Sequence, residues 1–230
     1  MKILAISDEE SPSLWEFYTK DKLKEYDMII SCGDLKADYL TFLVTMTGKP
    51  LLYVHGNHDT NYDRKPPEGC DCIDDQYVIY NGIRILGLGG CKKYHDGPHQ
   101  YTESQMRRRI RRLKRYLWYY KGVDLVVTHV PPRGHGDMEG YAHQGFEALL
   151  PLLDQYHPQY LLHGHIHTRY DRNIPRVISY GNTKIVNVSE SYGLEIAEKE
   201  VPLKYQNQLL YKTHPPRIPD YDLAYKNPDF

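Results

Sequence analysis

Five short polar blocks punctuate this chain of 230 residues: Asp8, Gly33-Asp34, Gly56-Asn57-His58-Asp59, His129 and Gly164-His165-Ile166-His167. Their side chains are carboxylate, amide and imidazole, with no thiolate among them. Such an oxygen and nitrogen donor set suits Mn, Fe, Zn or Ni rather than a structural zinc site. His165 and His167 are alternate residues, so on a curved loop each can serve one of two neighbouring metals. Two divalent ions about 3.5–4 Å apart can share a water, lower its pKa and clamp a phosphoryl group during in-line attack. The blocks therefore point to phosphoryl chemistry on a metal pair.

Each block comes at or just past an apolar run that reads as a strand. Lys2–Ser7, Met28–Ile30, Leu51–Val54, Leu125–Thr128 and Tyr160–Leu162 are too short for helices. Helices are expected from the Ser11-Pro12 start to about Tyr26, over Tyr39–Met46, over Glu103–Lys121 behind a Thr102/Gln105 capping box, and over Gln144–Tyr156. The opening β-α-β-α-β order predicts parallel strands joined by crossover helices, and ligands gather at the C-terminal ends of such strands. Hairpins are expected around Asn81-Gly82 and Gly181-Asn182, with a last strand over Gly193–Ile196. The domain is expected to span 1–199, followed by a proline- and tyrosine-rich tail, 200–230, lying across the surface.

Composition sets outer limits. A chain that is 40% hydrophobic and 26% charged, with a formal net charge of -1, has ordinary soluble composition and no general attraction to nucleic acid or an anionic membrane. The first apolar run stops at Asp8-Glu9-Glu10, too early for a signal peptide. No run approaches the ~20 apolar residues of a membrane helix. Cys32, Cys70, Cys72 and Cys91 follow no zinc-ribbon or CxxC spacing, with Cys70 and Cys72 placed in a loop. A reduced, cytoplasmic protein with no membrane partner is expected; nothing in the chain speaks to an oligomeric state.

In these blocks the chain resembles the calcineurin-like metallophosphoesterases, whose pattern is Asp-x-His, Gly-Asp, Gly-Asn-His-Asp/Glu, a lone His and Gly-His-x-His. The likeness spans about residues 1–197. It implies an α/β fold, a four-layer αββα sandwich of two mixed β-sheets flanked by helices. It also implies two divalent metal ions, Mn foremost with Fe, Zn or Ni as alternatives. Asp8 and His167 would hold the first metal, Asp34 would bridge, and Asn57, His129 and His165 would complete the second. His58 would contact phosphate and protonate the leaving alkoxide, with Asp38 a candidate to orient it. Glu10 stands where the family has histidine. A glutamate there can ligate Mn, Fe or Mg, or it can turn away and leave the first metal short of a ligand. A small phosphorylated substrate, nucleotide-like, is the expected partner. The competing readings are a degenerate metal-binding scaffold that recruits other proteins and a nuclease-like member that acts on nucleic acid.

Three further features carry two readings each. Pro131-Pro132-Arg133-Gly134-His135, after His129, resembles a segment of a bacterial branch of the superfamily; Arg133 and His135 would form a substrate rim, or the loop is a rigid proline turn. Lys92-Lys93-Tyr94-His95 could face the site. The helix after Ser104 carries Arg107, Arg108, Arg109, Arg111, Arg112, Lys114 and Arg115 around a buried stripe of Met106, Ile110, Leu113 and Leu117. Those charges form a solvated face or a contact for anions such as nucleic acid. His55 and His163 read as satisfied core histidines, and the Asn187-Val188-Ser189 sequon lies in a strand and is discounted.

Overall fold

In the computed structural model, which describes residues 1–167, 175–197, 207 and 209–211, strand β1 (Lys2–Ser7) is apolar on both faces because both faces are covered. Ile3 and Ala5 point into one hydrophobic cluster, Leu4 and Ile6 into another, as the alternation of side chains along a strand requires. β1 pairs in parallel with β2 (Met28–Ser31), β2 with β3 (Leu51–Tyr53) and β3 with β4 (Asp71–Cys72). On its other edge β1 pairs antiparallel with β13 (Glu190–Glu195).

A second sheet runs in the order β11 (Val177–Tyr180), β12 (Thr183–Asn187), β10 (Tyr160–His163), β9 (Leu125–Thr128), β6 (Ile83–Leu88), β5 (Tyr77–Tyr80) and β14 (Leu210–Tyr211). Its four central strands are parallel, β11 and β5 run against them, and β14 pairs antiparallel with β5; β7 (Cys91–Lys92) and β8 (Gln100–Tyr101) pair apart from both sheets. Ile3, Ile30 and Leu52 of the first sheet share a buried cluster with Ile85, Val127 and Leu162 of the second. Helix α1 (Ala37–Thr47) covers the outer face of the first sheet through Tyr39, Leu40 and Leu43. Helices α2 (Glu103–Tyr119) and α3 (Leu150–Tyr156) cover the second through Met106, Ile110, Leu117 and Leu152. The result is the expected four-layer αββα sandwich of two mixed sheets.

The Asn81-Gly82 turn has positive φ at both residues, 44° and 77°, the twist a two-residue hairpin needs. The Thr102/Gln105 capping box forms with both reciprocal hydrogen bonds.

Three local expectations differ from the structure. Residues 11–26 make successive turns, not a helix. Leu14 and Leu23 both pack into the α1 cluster, yet nine residues of α-helix would put them on opposite faces; Ser11 bonds Glu190 instead of capping. The helix expected from Gln144 begins as a 3-10 turn at Glu147–Leu149 and becomes α-helical only at Leu150, with Pro151 in the first turn, where its missing N–H costs nothing. Cys72 belongs to a short strand rather than a loop. Of the expected tail, Leu210–Tyr211 pairs with β5, and most of the remainder lies outside the described residues.

Candidate metal centre

All five blocks sit just past the C-terminal ends of parallel strands: Asp8 after β1, Asp34 after β2, Asn57 and His58 after β3, His129 after β9, His165 and His167 after β10. Strands of both sheets therefore aim their following loops at one edge of the sandwich. Asp8, Asp34 and His165 have φ of 66°, 58° and 66°. For residues other than glycine that left-handed conformation costs roughly 1–2 kcal/mol each. The glycines let the loops close: a Cβ on Gly56 would collide with the Asp34 carboxylate, and one on Gly164 with Ser7 Oγ and Asp8.

His129 is the centre of the cluster. It is fully buried, and its Nδ1–H donates to the Cys32 carbonyl at 2.8 Å. Its Nε2 faces Asn57 Oδ1 at 3.1 Å, Asp34 Oδ2 at 3.3 Å and His165 Nδ1 at 3.1 Å. His165 Nε2–H donates to the Ala142 carbonyl at 2.7 Å, which leaves Nδ1 as an acceptor. Burial works against a charge on His129, but the carboxylates of Asp34 and Asp8 lift its pKa to about 9. Burial and the neighbouring His129 charge push His165 down to about 3. Burial likewise opposes ionised Asp34, and His129 overcomes it, holding the carboxyl well below the ordinary range. Three acceptor atoms thus converge on His129 Nε2. The same four atoms are a nitrogen and oxygen donor set for a divalent cation, and those of Asp34, His129 and His165 lie within 4.8 Å of one another.

The residues expected at the first metal are less tightly drawn together. Asp8 accepts the His165 backbone N–H through both oxygens, at 2.9 and 3.0 Å, and burial raises its pKa. His167 Nδ1 lies 3.3 Å from Glu9 Oε1. Glu10 turns the other way, accepting the Lys36 backbone N–H at 3.2 Å and lying 3.4 Å from Lys36 Nζ. Among the described residues, Asp8, Glu10 and His167 do not fall within the Asp34–His129–His165 group.

His58 is exposed, with its backbone N–H donating to Asp34 Oδ1 at 2.7 Å. It lines a cleft of about 350 Å³ together with Glu10, Asp34, Lys36 and Lys65. Asp38 pairs with Lys65 at 2.7 Å rather than with His58. Arg133 is held by Asp137 at 2.6 Å, and the His135 ring packs on Tyr180 with centroids 4.6 Å apart. His55 is satisfied by Asp74, at 2.5 Å. His163 is buried beside the Gly164 carbonyl, and burial pushes its pKa down to about 4. In the discounted sequon, Asn187 is buried and donates to the Ile166 carbonyl at 2.7 Å, bracing the Gly164–His167 loop.

Sequence reasoning gave no role to Asp59 or Glu9; their place inside the blocks was the available signal. Asp59 Oδ2 takes the N–H groups of Asp34 at 2.9 Å and Gly56 at 2.7 Å, tying the loops after β2 and β3 together. Burial and the Asp34 charge raise its pKa to about 6. The Lys92–His95 loop does reach the cluster: the Tyr94 hydroxyl accepts from Asn57 Nδ2 at 3.2 Å, which turns Asn57 Oδ1 toward His129.

A two-sheet sandwich with these groups meeting at its C-terminal strand edge defines a metal-dependent phosphoesterase. The chain belongs to the calcineurin-like phosphoesterase family, whose sequence model matches residues 1–169, and that family uses divalent ions in a dinuclear site. Among curated proteins the chain is similar to a UPF0046 protein of Caenorhabditis elegans, 22% identical, with 83% of this chain and 70% of that protein covered. It is also similar to the lariat debranching enzyme of Drosophila pseudoobscura pseudoobscura, 26% identical over 68% of this chain and only 40% of the enzyme. A solved protein of Thermus thermophilus shares the fold at a TM-score of 0.55, with 16% identity and coverage of 82% and 89% of the two chains. No helix among the described residues is long and apolar enough to cross a membrane.

Proposed function

We propose that this chain hydrolyses phosphate mono- or diesters of nucleotide-like substrates, with manganese as the preferred ion and iron, zinc or nickel as substitutes. The observation that carries the reading is the convergence of Asn57 Oδ1, Asp34 Oδ2 and His165 Nδ1 on His129 Nε2. Asn57, His129 and His165 would hold one ion and Asp34 would bridge. Asp8, His167 and a glutamate of the Asp8-Glu9-Glu10 block would hold the other. Bound there, the ions would acidify a water and neutralise phosphoryl charge.

The chain's own groups supply the rest. His58, exposed beside Asp34, gives a proton to the departing alkoxide. Lys36 and Lys65 line the same cleft, each paired with a carboxylate there, Glu10 and Asp38. Asp59 holds the Asp34 and Gly56 loops in register. A cleft of about 350 Å³ lies at the small end of the ~300–1,000 Å³ typical of ligand pockets. Turnover of an aryl phosphomonoester and an aryl phosphodiester with Mn²⁺ tests the reading. Hydrolysis of at least one, lowered about 10²–10⁴-fold in His58→Ala, is the expected result. No turnover of either ester with any of the four metals would sink it.

A further inference from the structure

Helix α2 presents a basic groove to solvent on the face away from its sheet. Burial divides its cations: Arg109 is 6% exposed, bonded to Asp75 at 2.7 Å and to the Gly89 carbonyl at 2.7 Å, and stacked 4.1 Å over the Tyr101 ring. The other six, Arg107, Arg108, Arg111, Arg112, Lys114 and Arg115, are exposed. Among the described residues Arg107 has one acidic partner, Glu147 at 3.6 Å, while Arg108, Arg111, Arg112 and Lys114 have none. Arg107, Arg111 and Lys114 line a groove of about 530 Å³ between α2 and α3, floored by Ile110, Leu152 and Pro151.

Arg107, Arg111, Lys114 and Trp118 are spaced i, i+4, i+7 and i+11, so they form one stripe, about 16 Å long at 1.5 Å per residue. Trp118 stands 79% exposed at its end. Trp118 sets an aromatic face in line with the three cations, and a chain of bases and phosphates uses both. Guanidinium forks match phosphate oxygens, and exposed aromatic rings stack on unpaired bases. An acidic peptide would answer the charges and leave the indole idle.

A short segment of chain runs from the candidate metal centre to the groove. The His143 ring is 5.5 Å from the His165 ring, and Ala148 lines the groove. Five residues of extended chain reach at most about 18 Å. Glu103, at the head of α2, accepts the N–H groups of Glu147 and Ala148 at 2.8 and 3.1 Å, which holds the helix to this connecting segment.

We infer that the α2–α3 groove binds single-stranded nucleic acid, with phosphates on Arg107, Arg111 and Lys114 and a base stacked on Trp118. Taken with the phosphoesterase reading, on which its meaning as a substrate rests, this makes an oligonucleotide the substrate class.

The test is fluorescence anisotropy of a labelled oligothymidylate of about twelve nucleotides with the full chain in EDTA, so that binding is read without hydrolysis. Three phosphate contacts predict log K falling against log salt concentration with a slope of about −2. Arg111→Glu with Lys114→Glu should weaken binding at least tenfold and flatten that slope. Trp118→Ala should weaken it about fivefold or more, leaving the slope unchanged. Circular dichroism checks that each variant is folded. Equal affinity for a polyglutamate of matched charge, or undiminished binding by the charge-reversed variant, would overturn the proposal. Failure of the phosphoesterase reading would show separately, as absent turnover of the small aryl esters by wild type.

Discussion

Glu9 faces His167, with Oε1 3.3 Å from Nδ1, while its neighbour Glu10 faces Lys36. The left-handed turn at Asp8 separates three successive carboxylates, sending Asp8 toward Gly164-His165, Glu9 toward His167 and Glu10 toward α1. The residue at the family's histidine position is therefore the one that turns away, and the residue before it meets the last histidine. Glu9→Gln should lower bound metal from two per chain toward one, whereas Glu10→Gln should leave two. Elemental analysis of the purified variants reads this directly, and the reverse order would assign the ligand to Glu10.

Among the described residues His58 meets the cluster through its backbone N–H, which donates to Asp34 Oδ1. His58→Ala should keep the metal content of wild type and lose about 10²–10⁴ in turnover, the usual worth of a positioned acid. Paired metal analysis and kinetics on one preparation check it. Metal loss in this variant would mean that the histidine is a ligand.

Tyr94 touches Asn57 and thereby sets which amide atom looks at His129. Removing the hydroxyl in Tyr94→Phe lets the amide rotate. Metal affinity should fall by roughly tenfold, as for other groups that orient a ligand, with the fold unchanged. A Mn²⁺ titration followed by electron paramagnetic resonance gives the constant.

Arg109 and Arg112 are three residues apart and should behave oppositely. Arg109→Gln strips Asp75 and the Gly89 carbonyl of a buried guanidinium and should cost about 3 kcal/mol. Arg112→Gln, on the exposed face, should stay within about 0.5 kcal/mol of wild type. Urea unfolding of both variants settles the contrast.

Much of the fold was legible because its strands are covered on both faces. Continuous apolar runs such as Ile3–Ile6 and Val126–Val127 need no partner to be recognised, and Asn-Gly and Thr-x-x-Gln are local signals. The 11–26 segment was not legible, since a serine-proline start also opens a turn, and only the shared cluster of Leu14 and Leu23 excludes one continuous helix. Arg109 was half legible: it stands at i+3 from Met106 and i+4 before Leu113, inside the apolar stripe, but its acidic partners come from a loop more than thirty residues away.

The residue types and their order along the chain were enough to determine the strand-end placement of the polar blocks and the metal-dependent chemistry, because donor chemistry belongs to side chains and strand ends to apolar patterning. Tertiary structure alone decided the directions. Which of Glu9 and Glu10 meets His167, which arginine of α2 is buried, and which acceptors surround His129 all depend on backbone torsions and on loops brought together from distant strands. No local pattern encodes those contacts, since each partner comes from another part of the chain.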